Sequence, residues 1–224
     1  MNYLNIFDDA KVWIKYVHFL NRKYYKNNFL EIGAGIGSFT DAYKKNIKNI
    51  FLTEVTNENL NILKSKYKND SNIKISDISI EKIEEKFNTI AHYNVLEHIE
   101  DDKKEIYDCL SRINKGGYLV ILVPAHNELY SKLDKEVGHY RRYNKSFFQK
   151  FDFKGNTIVE LKYIDCLGYL LYYLNKVFFK NETYPSKLKI FVWDKIITPF
   201  TIIFDFLTAY KLGKNILCVI KKNN

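Results

Sequence analysis

Short apolar runs and longer polar stretches with helical spacing take turns along the chain as far as Pro124. Asn28 to Ile32 is an apolar run ending at a group of glycines, and Ile50 to Val55, Ile73 to Ile75, Thr89 to Val95 and Tyr118 to Val123 repeat the pattern. Short runs of this kind, bounded by turn residues, predict buried strands. Asn57 to Tyr67 and Asp102 to Asn114 lie between them, lysine-rich and helically spaced. Strands separated by helices need crossover connections, which are right-handed, and they build a parallel sheet covered on both faces. Gly116-Gly117 is expected to close the second of these helices and turn the chain into the fifth strand. Asp8 and Asp9 stand before AKVWIKYVHFLNRKYYK, whose Val12, Ile14, Val17 and Leu20 are loosely helical, so an N-terminal helix capped by those acids is predicted.

The texture changes after residue 150. Cys166 to Lys180 carries an apolar stripe at Leu167, Leu170, Leu171, Leu174 and Phe178, and Ile190 to Tyr210 carries another at Trp193, Ile196, Ile197, Phe200, Ile203, Phe204 and Leu207. The charge-free runs 166–175 and 196–204 reach about half the roughly 20 residues that cross a bilayer, and Pro199 interrupts the second. Asn215 to Ile220 reads as a closing strand. These patterns predict a single domain over residues 1–224, with a core at 28–163, a closing strand at 215–220 and a helical insertion at about 164–212.

Composition narrows the class. Hydrophobic residues at 46% and charged ones at 27% exclude a disordered or fibrous chain. Cys109, Cys166 and Cys218 are far apart, which excludes a disulfide scaffold or cysteine-based zinc site and fits a reducing compartment. The opening MNYLNIFDDA has acids where a signal peptide needs lysines and an apolar core, so a cytoplasmic location is expected, with the inner face of the membrane as the extension of that reading. The net charge of +9 leaves nucleic acid or an anionic membrane open as partners. Arginine is scarce, yet Arg141 and Arg142 are adjacent.

FLEIGAGIGSFT (Phe29–Thr40) places a buried strand, an acid, a G-x-G-x-G loop and a helix start in succession. Glycines let the backbone approach a ligand, and the helix start adds positive potential. The dinucleotide fingerprint would need a glycine at position 38, which is Ser38, and Glu31 just before the loop suits an ammonium better than a pyrophosphate. Glu54 ends the second run, where a carboxylate can accept from ribose hydroxyls; Asp77 follows the third, where it can meet an adenine amino group.

The ordered series FLEIGAGIGSFT, LTEV, ISDIS, HYNVLEHIEDD and NKGGYLVILVP resembles that of a Rossmann-fold (class I) S-adenosylmethionine-dependent methyltransferase. The continuation VPAHNELYSKLDKEVGHYRRY and the final GKNILCVIKK are similar to a narrower group often encoded beside glycosyltransferases. The resemblance implies an α/β, Rossmann-like seven-stranded sheet of order 3-2-1-4-5-7-6 with strand seven antiparallel. It further implies S-adenosylmethionine as cofactor, with S-adenosylhomocysteine as product. Glu31, Gly33, Gly35 and Gly37 would surround its methionine part, Glu54 the ribose and Asp77 the adenine, with Asn94 and Leu96 as the pocket floor. A similar segment in ubiquinone-pathway O-methyltransferases has a metal-binding role that uses an acid three residues before the Glu-His pair; that position is Asn94 here, so no metal is expected.

Methyl transfer is an in-line displacement, and the protein's part is alignment and, for a hydroxyl acceptor, proton removal. Pro124 to Tyr143 follows the fifth strand and gathers chemistry-bearing side chains where open α/β sheets place ligands. His139 is the candidate base, with His98 and Asp134 as further catalytic candidates; His126, Tyr130, Arg141, Arg142 and Tyr143 are candidates for acceptor binding. Alternatively, the arginines pair with helix-start acids and Asp101 and Asp102 cap a helix. The narrower group's setting suggests a small-molecule, saccharide or polyprenyl-phosphate-linked glycan acceptor, with peripheral membrane contact through 164–212, or a homodimer, as the role of the aromatic helices. Two other classes compete. A tRNA or DNA methyltransferase would suit the charge, but Asn94-Val95-Leu96-Glu97 lacks the usual prolines and the lysines are scattered, so no nucleic-acid partner is expected. A non-catalytic S-adenosylmethionine-binding protein at the membrane would be marked by a broken glycine loop or a missing ribose acid, and both are intact.

Overall fold

The computed structural model describes residues 8–178 and 186–223. Each predicted apolar run becomes a strand: β1 (Phe29–Ile32), β2 (Ile50–Thr53), β3 (Ile73–Ser76), β4 (Phe87–Tyr93) and β5 (Ile113–Pro124) are mutually parallel in the order β3-β2-β1-β4-β5. The closing strand β7 (Asn215–Lys221) enters antiparallel between β5 and β6 (Thr157–Ile164), completing seven strands in the order 3-2-1-4-5-7-6. Alternate residues of β1 enter opposite cores. Phe29 packs with Trp13, Tyr16 and Val17 of helix α1 (Lys11–Asn21) on one face, and Leu30 and Ile32 pack with Ile106 and Leu110 on the other.

Between the strands lie α2 (Thr40–Tyr43), α3 (Asn57–Lys66) and α4 (Asp102–Ser111), followed after β5 by α5 (Lys132–Glu136) and α6 (Lys145–Lys150). α4 ends at Ser111, so the Gly116-Gly117 pair lies inside β5 rather than closing the helix. The reason is a close approach: a Cβ on Gly117 would stand 2.6 Å from the Asn88 carbonyl oxygen, where the β4–β5 register shifts between Phe87 and Thr89. β6 had no distinct signal because it is an edge strand of half-buried residues, mixed in polarity, that pairs with β7 alone.

The insertion contributes α7 (Cys166–Phe178), α8 (Lys187–Val192), a π-helical turn at Trp193–Ile197 and α9 (Thr198–Leu207), the last three running on without a break and Pro199 lying just past the π turn. Lys180, the end of the predicted helix, lies outside the described residues. Two buried aspartates fasten this insertion. Asp194 accepts from the Val12 and Trp13 amides at 3.1 and 2.8 Å and so caps α1. Asp9 therefore does not cap that helix, and Asp8 turns to Ser38 and Lys11 instead. Asp205 accepts from the Asp165 and Cys166 amides, each at 2.9 Å, at the head of α7, and from the Tyr16 hydroxyl. A carboxylate out of water needs such donors, and both have them.

Candidate active site

The C-terminal edge of the parallel strands gathers the residues singled out by the motifs. After β1 the chain turns through Gly33, Gly35 and Gly37, all at positive φ (64°, 57° and 80°). The Gly35 amide donates to Glu54 Oε2 at 2.9 Å, and Thr56 N donates to Oε1 at 2.8 Å. Glu54 is thereby fixed at the end of β2, and each carboxylate oxygen retains a second lone pair for a ligand's hydroxyls. Asp77 follows β3 and is exposed; Asn94 follows β4, exposed and left-handed at φ 55°, with Leu96 buried beside it. This arc of loop amides, ribose-type acid and exposed Asp77 and Asn94 along one edge fits a nucleoside-bearing ligand. Gly37 serves the protein itself, because a Cβ there would run into the Tyr67 hydroxyl.

Glu31 lies beneath the loop. Its Oε2 accepts from Thr40 Oγ1 and Tyr43 Oη, so it braces α2 against β1. Burial pushes its carboxyl up to about 7, and this has a pH signature. The unfolded chain ionises Glu31 at its ordinary value while the folded chain resists, so stability falls as pH rises from about 4.5 to 7 and is level above. Glu31→Gln removes that loss: its advantage in urea unfolding should grow across this window, to the order of 3 kcal/mol, and a pH-independent difference would show that Glu31 does not titrate there.

The segment after β5 folds back over the turn after β4. Tyr140 N donates to the Glu97 carbonyl at 2.8 Å, the Tyr143 hydroxyl reaches the Leu96 carbonyl at 3.2 Å, and the His98 and His139 rings meet edge to face with centroids 4.6 Å apart. His139 thus stands beside the turn carrying Asn94 and Leu96. Its Nδ1 contacts Asp134 Oδ1 at 2.7 Å, which sets Nδ1 as the protonated nitrogen and leaves Nε2 as the basic one, 3.9 Å from Glu97 Oε1. Burial alone would raise the Asp134 carboxyl, but hydrogen bonds from His139 and Arg142 outweigh it and hold that carboxyl well below the usual range. Ser131 adds donors from its amide and hydroxyl at 2.9 Å each.

The remaining candidates separate. Arg141 pairs with Asp102 at 2.7 Å and donates to the Glu100 carbonyl, so it ties the loop to the start of α4. Arg142 diverges from it: Nε reaches Asp134 at 2.9 Å and Nη2 reaches the Tyr172 hydroxyl at 3.1 Å, while buried Nη1 has no hydrogen-bond partner among the described residues. Tyr143 corrects the acceptor-binding expectation: it is 1% exposed, packed in the core, and donates to Asp102. His126 stacks on Tyr163 and contacts the Gly213 carbonyl at 2.9 Å through Nε2, and the Tyr130 hydroxyl donates to the His139 carbonyl. Both hold the loop's shape. Asp101 caps α4 through the Lys104 amide.

Two residues were not among the candidates for the site. Glu97 is 1% exposed with neither oxygen hydrogen-bonded among the described residues, and burial pushes its carboxyl up to about 8. Its signal was an acid beside a histidine just past a parallel strand. Glu97, His98 and His139 each offer a potential ligand atom within 4.8 Å of the others. Tyr172 of α7 bonds to Arg142 and to the Leu129 carbonyl, a contact with no local sequence mark.

A family model described as a methyltransferase domain matches residues 7–155. No curated protein matches the chain. Among solved structures, the S-adenosylmethionine-dependent methyltransferase from Clostridium acetobutylicum is similar with a TM-score of 0.63 at 14% identity, covering 99% of this chain and 98% of its own. The N-methyltransferase NodS from Bradyrhizobium japonicum, in complex with S-adenosyl-l-homocysteine, gives 0.60 at 15% identity over 94% of this chain and 85% of its own. YcgJ from Bacillus subtilis gives 0.61 at 14% identity over 93% and 98%. At these identities the likeness is one of fold.

Proposed function

The chain belongs to the methyltransferase-domain family, and from that premise we propose that it is an S-adenosylmethionine-dependent O-methyltransferase acting on a hydroxyl of a small-molecule, saccharide or polyprenyl-phosphate-linked glycan acceptor. The observation that carries the proposal is the Asp134–His139 pair held over the β4 turn, at the strand edge that also bears the glycine loop and Glu54. The cofactor, when bound, supplies a methyl group on a sulfonium, whose loss leaves a neutral thioether.

Everything else in the reaction falls to the chain's own residues. Gly33 and Gly35 would bring backbone close to the ligand, Glu54 would accept from the ribose hydroxyls, and Asp77 would meet the adenine end. His139 accepts the acceptor's hydroxyl proton at Nε2, and Asp134 holds the ring in that tautomer and stabilises the imidazolium that forms. Glu97, kept protonated near neutral pH by burial, leaves Asp134 as the ionised carboxylate in contact with the ring.

Glu54→Ala is expected to weaken S-adenosylmethionine binding by about 10- to 100-fold in calorimetry, the loss for hydrogen bonds to a charged group; unchanged affinity would remove Glu54 from the site. The reading itself is tested with methyl-labelled S-adenosylmethionine and three acceptor pools: polyprenyl-phosphate-linked oligosaccharide, free saccharide and tRNA. Label in a glycan pool supports it, and label confined to tRNA replaces it with a nucleic-acid methyltransferase.

A further inference from the structure

Helix α9 is amphipathic in the reverse of the usual sense. Its inward residues are Thr198, Thr201 and Asp205, each 0% exposed, while Phe200, Ile203, Phe204 and Leu207 face solvent. Residues three and four apart share a helix face, so these sets occupy opposite sides. Phe206 and Leu207 are 73% and 68% exposed. Leu188 and Phe191 of α8, Ile196 of the π turn and Leu170, Leu171 and Leu174 of α7 are exposed as well. Large apolar side chains exposed together in this number mark a contact surface.

Charge identifies what it contacts. In the insertion, the described acids Asp165, Asp194 and Asp205 are all 0% exposed, fastened to backbone amides. The exposed charges on the same helices and their flanks are lysines: Lys187, Lys189, Lys211 and Lys195, the last paired with Asp194 at 2.9 Å. Pairing two copies through this face would set lysines near lysines, with the insertion's own described acids buried and turned inward. Anionic lipid headgroups answer them directly. Among the described residues no helix is long and apolar enough to cross a membrane.

We propose that α7, α8 and α9 form a docking surface for the anionic face of a lipid bilayer, with Phe200, Ile203, Phe204 and Leu207 entering the acyl boundary and the lysines binding headgroups. The surface adjoins the site already described. Tyr169 of α7 packs against His126, and Tyr172 bonds to Arg142, while Leu170, Leu171 and Leu174 of that helix are exposed. Docking therefore places the segment after β5 beside the lipid. The inference rests on exposure and charge and stands whether or not the acceptor is a glycan.

The test is co-sedimentation with phosphatidylcholine vesicles, with and without one quarter phosphatidylglycerol, alongside light scattering of the lipid-free protein. The wild type should bind the anionic vesicles at least tenfold more tightly than neutral ones. The Phe200→Ser/Ile203→Ser/Leu207→Ser variant should lose at least tenfold of that binding with its circular dichroism and S-adenosylmethionine affinity unchanged. Lys187→Glu/Lys189→Glu, which leaves the apolar face intact, should reduce the preference for anionic lipid. Failure of the wild type to bind either vesicle at millimolar lipid overturns the proposal. So does a stable dimer that the serine variant converts to monomer, since the face would then pair with a second copy.

Discussion

Alanine at His139 is expected to lower kcat by about 10²- to 10³-fold, while calorimetry finds S-adenosylmethionine affinity unchanged. Both halves of that result follow from position. His139 belongs to the segment after β5, joined to the β4 turn through Tyr140 N and Glu97 O, whereas Gly33, Gly35, Glu54 and Asp77 are on the loops after β1, β2 and β3. Removing the imidazole takes away the group that receives the acceptor's proton and leaves the glycine loop and Glu54 untouched. Asp134→Asn is the companion measurement. An amide cannot stabilise an imidazolium as a carboxylate does, and it permits the wrong tautomer, so kcat should fall with His139 still present. Because the two act as a pair, the double variant should be little slower than His139→Ala alone. Full activity of His139→Ala would remove it as the base and leave alignment as the protein's whole contribution.

Arginine at Gly35 is expected to abolish S-adenosylmethionine binding. Gly35 sits at φ 57°, where a side chain is strained, and its buried amide donates to Glu54 Oε2. A bulky residue there disturbs the turn and the ribose acid together and fills the space between loop and ligand. The loss should exceed the roughly 100-fold upper bound set for Glu54→Ala, since one substitution disables several contacts at once. Retained nanomolar or micromolar binding would mean that the ligand does not approach this part of the loop. Circular dichroism of the variant separates a blocked site from a lost fold.

The parts of the fold legible in advance were those encoded locally. Buried parallel strands carry continuous apolar runs, and each of the five was found within a few residues of its place. The parts that were not legible depend on partners distant in sequence. Nothing near Lys11 announces that its helix is capped by Asp194, 181 residues from the Trp13 amide that it binds. β6 borrows its regularity from β7, and Gly117 is required by the Asn88 carbonyl across the sheet rather than by its own turn. The site divides the same way. The loop glycines, Glu54 and Asp77 follow strand ends that sequence can locate. Tyr143, in contrast, resembled its neighbours in composition and differs from them only by packing into the core. The stripe on α9 was visible as a period, but period alone does not say which side of a helix faces the protein.

The position of β7 between β5 and β6 bears on how the chain is made. A strand assembled from residues 215–221 is interior to the sheet, so β6 has no partner in the sheet until that segment leaves the ribosome. The aspartates that cap α1 and α7 arrive in the same late stretch. At about 5–20 residues per second of synthesis, the nascent chain spends several seconds with β5 and β6 exposed at their edges and the first helix uncapped. The half of the molecule that bears the glycine loop can condense early, whereas the half that holds the β6 edge and the insertion closes only once residues 215–221 have been made, and that interval is when the chain depends most on chaperone protection.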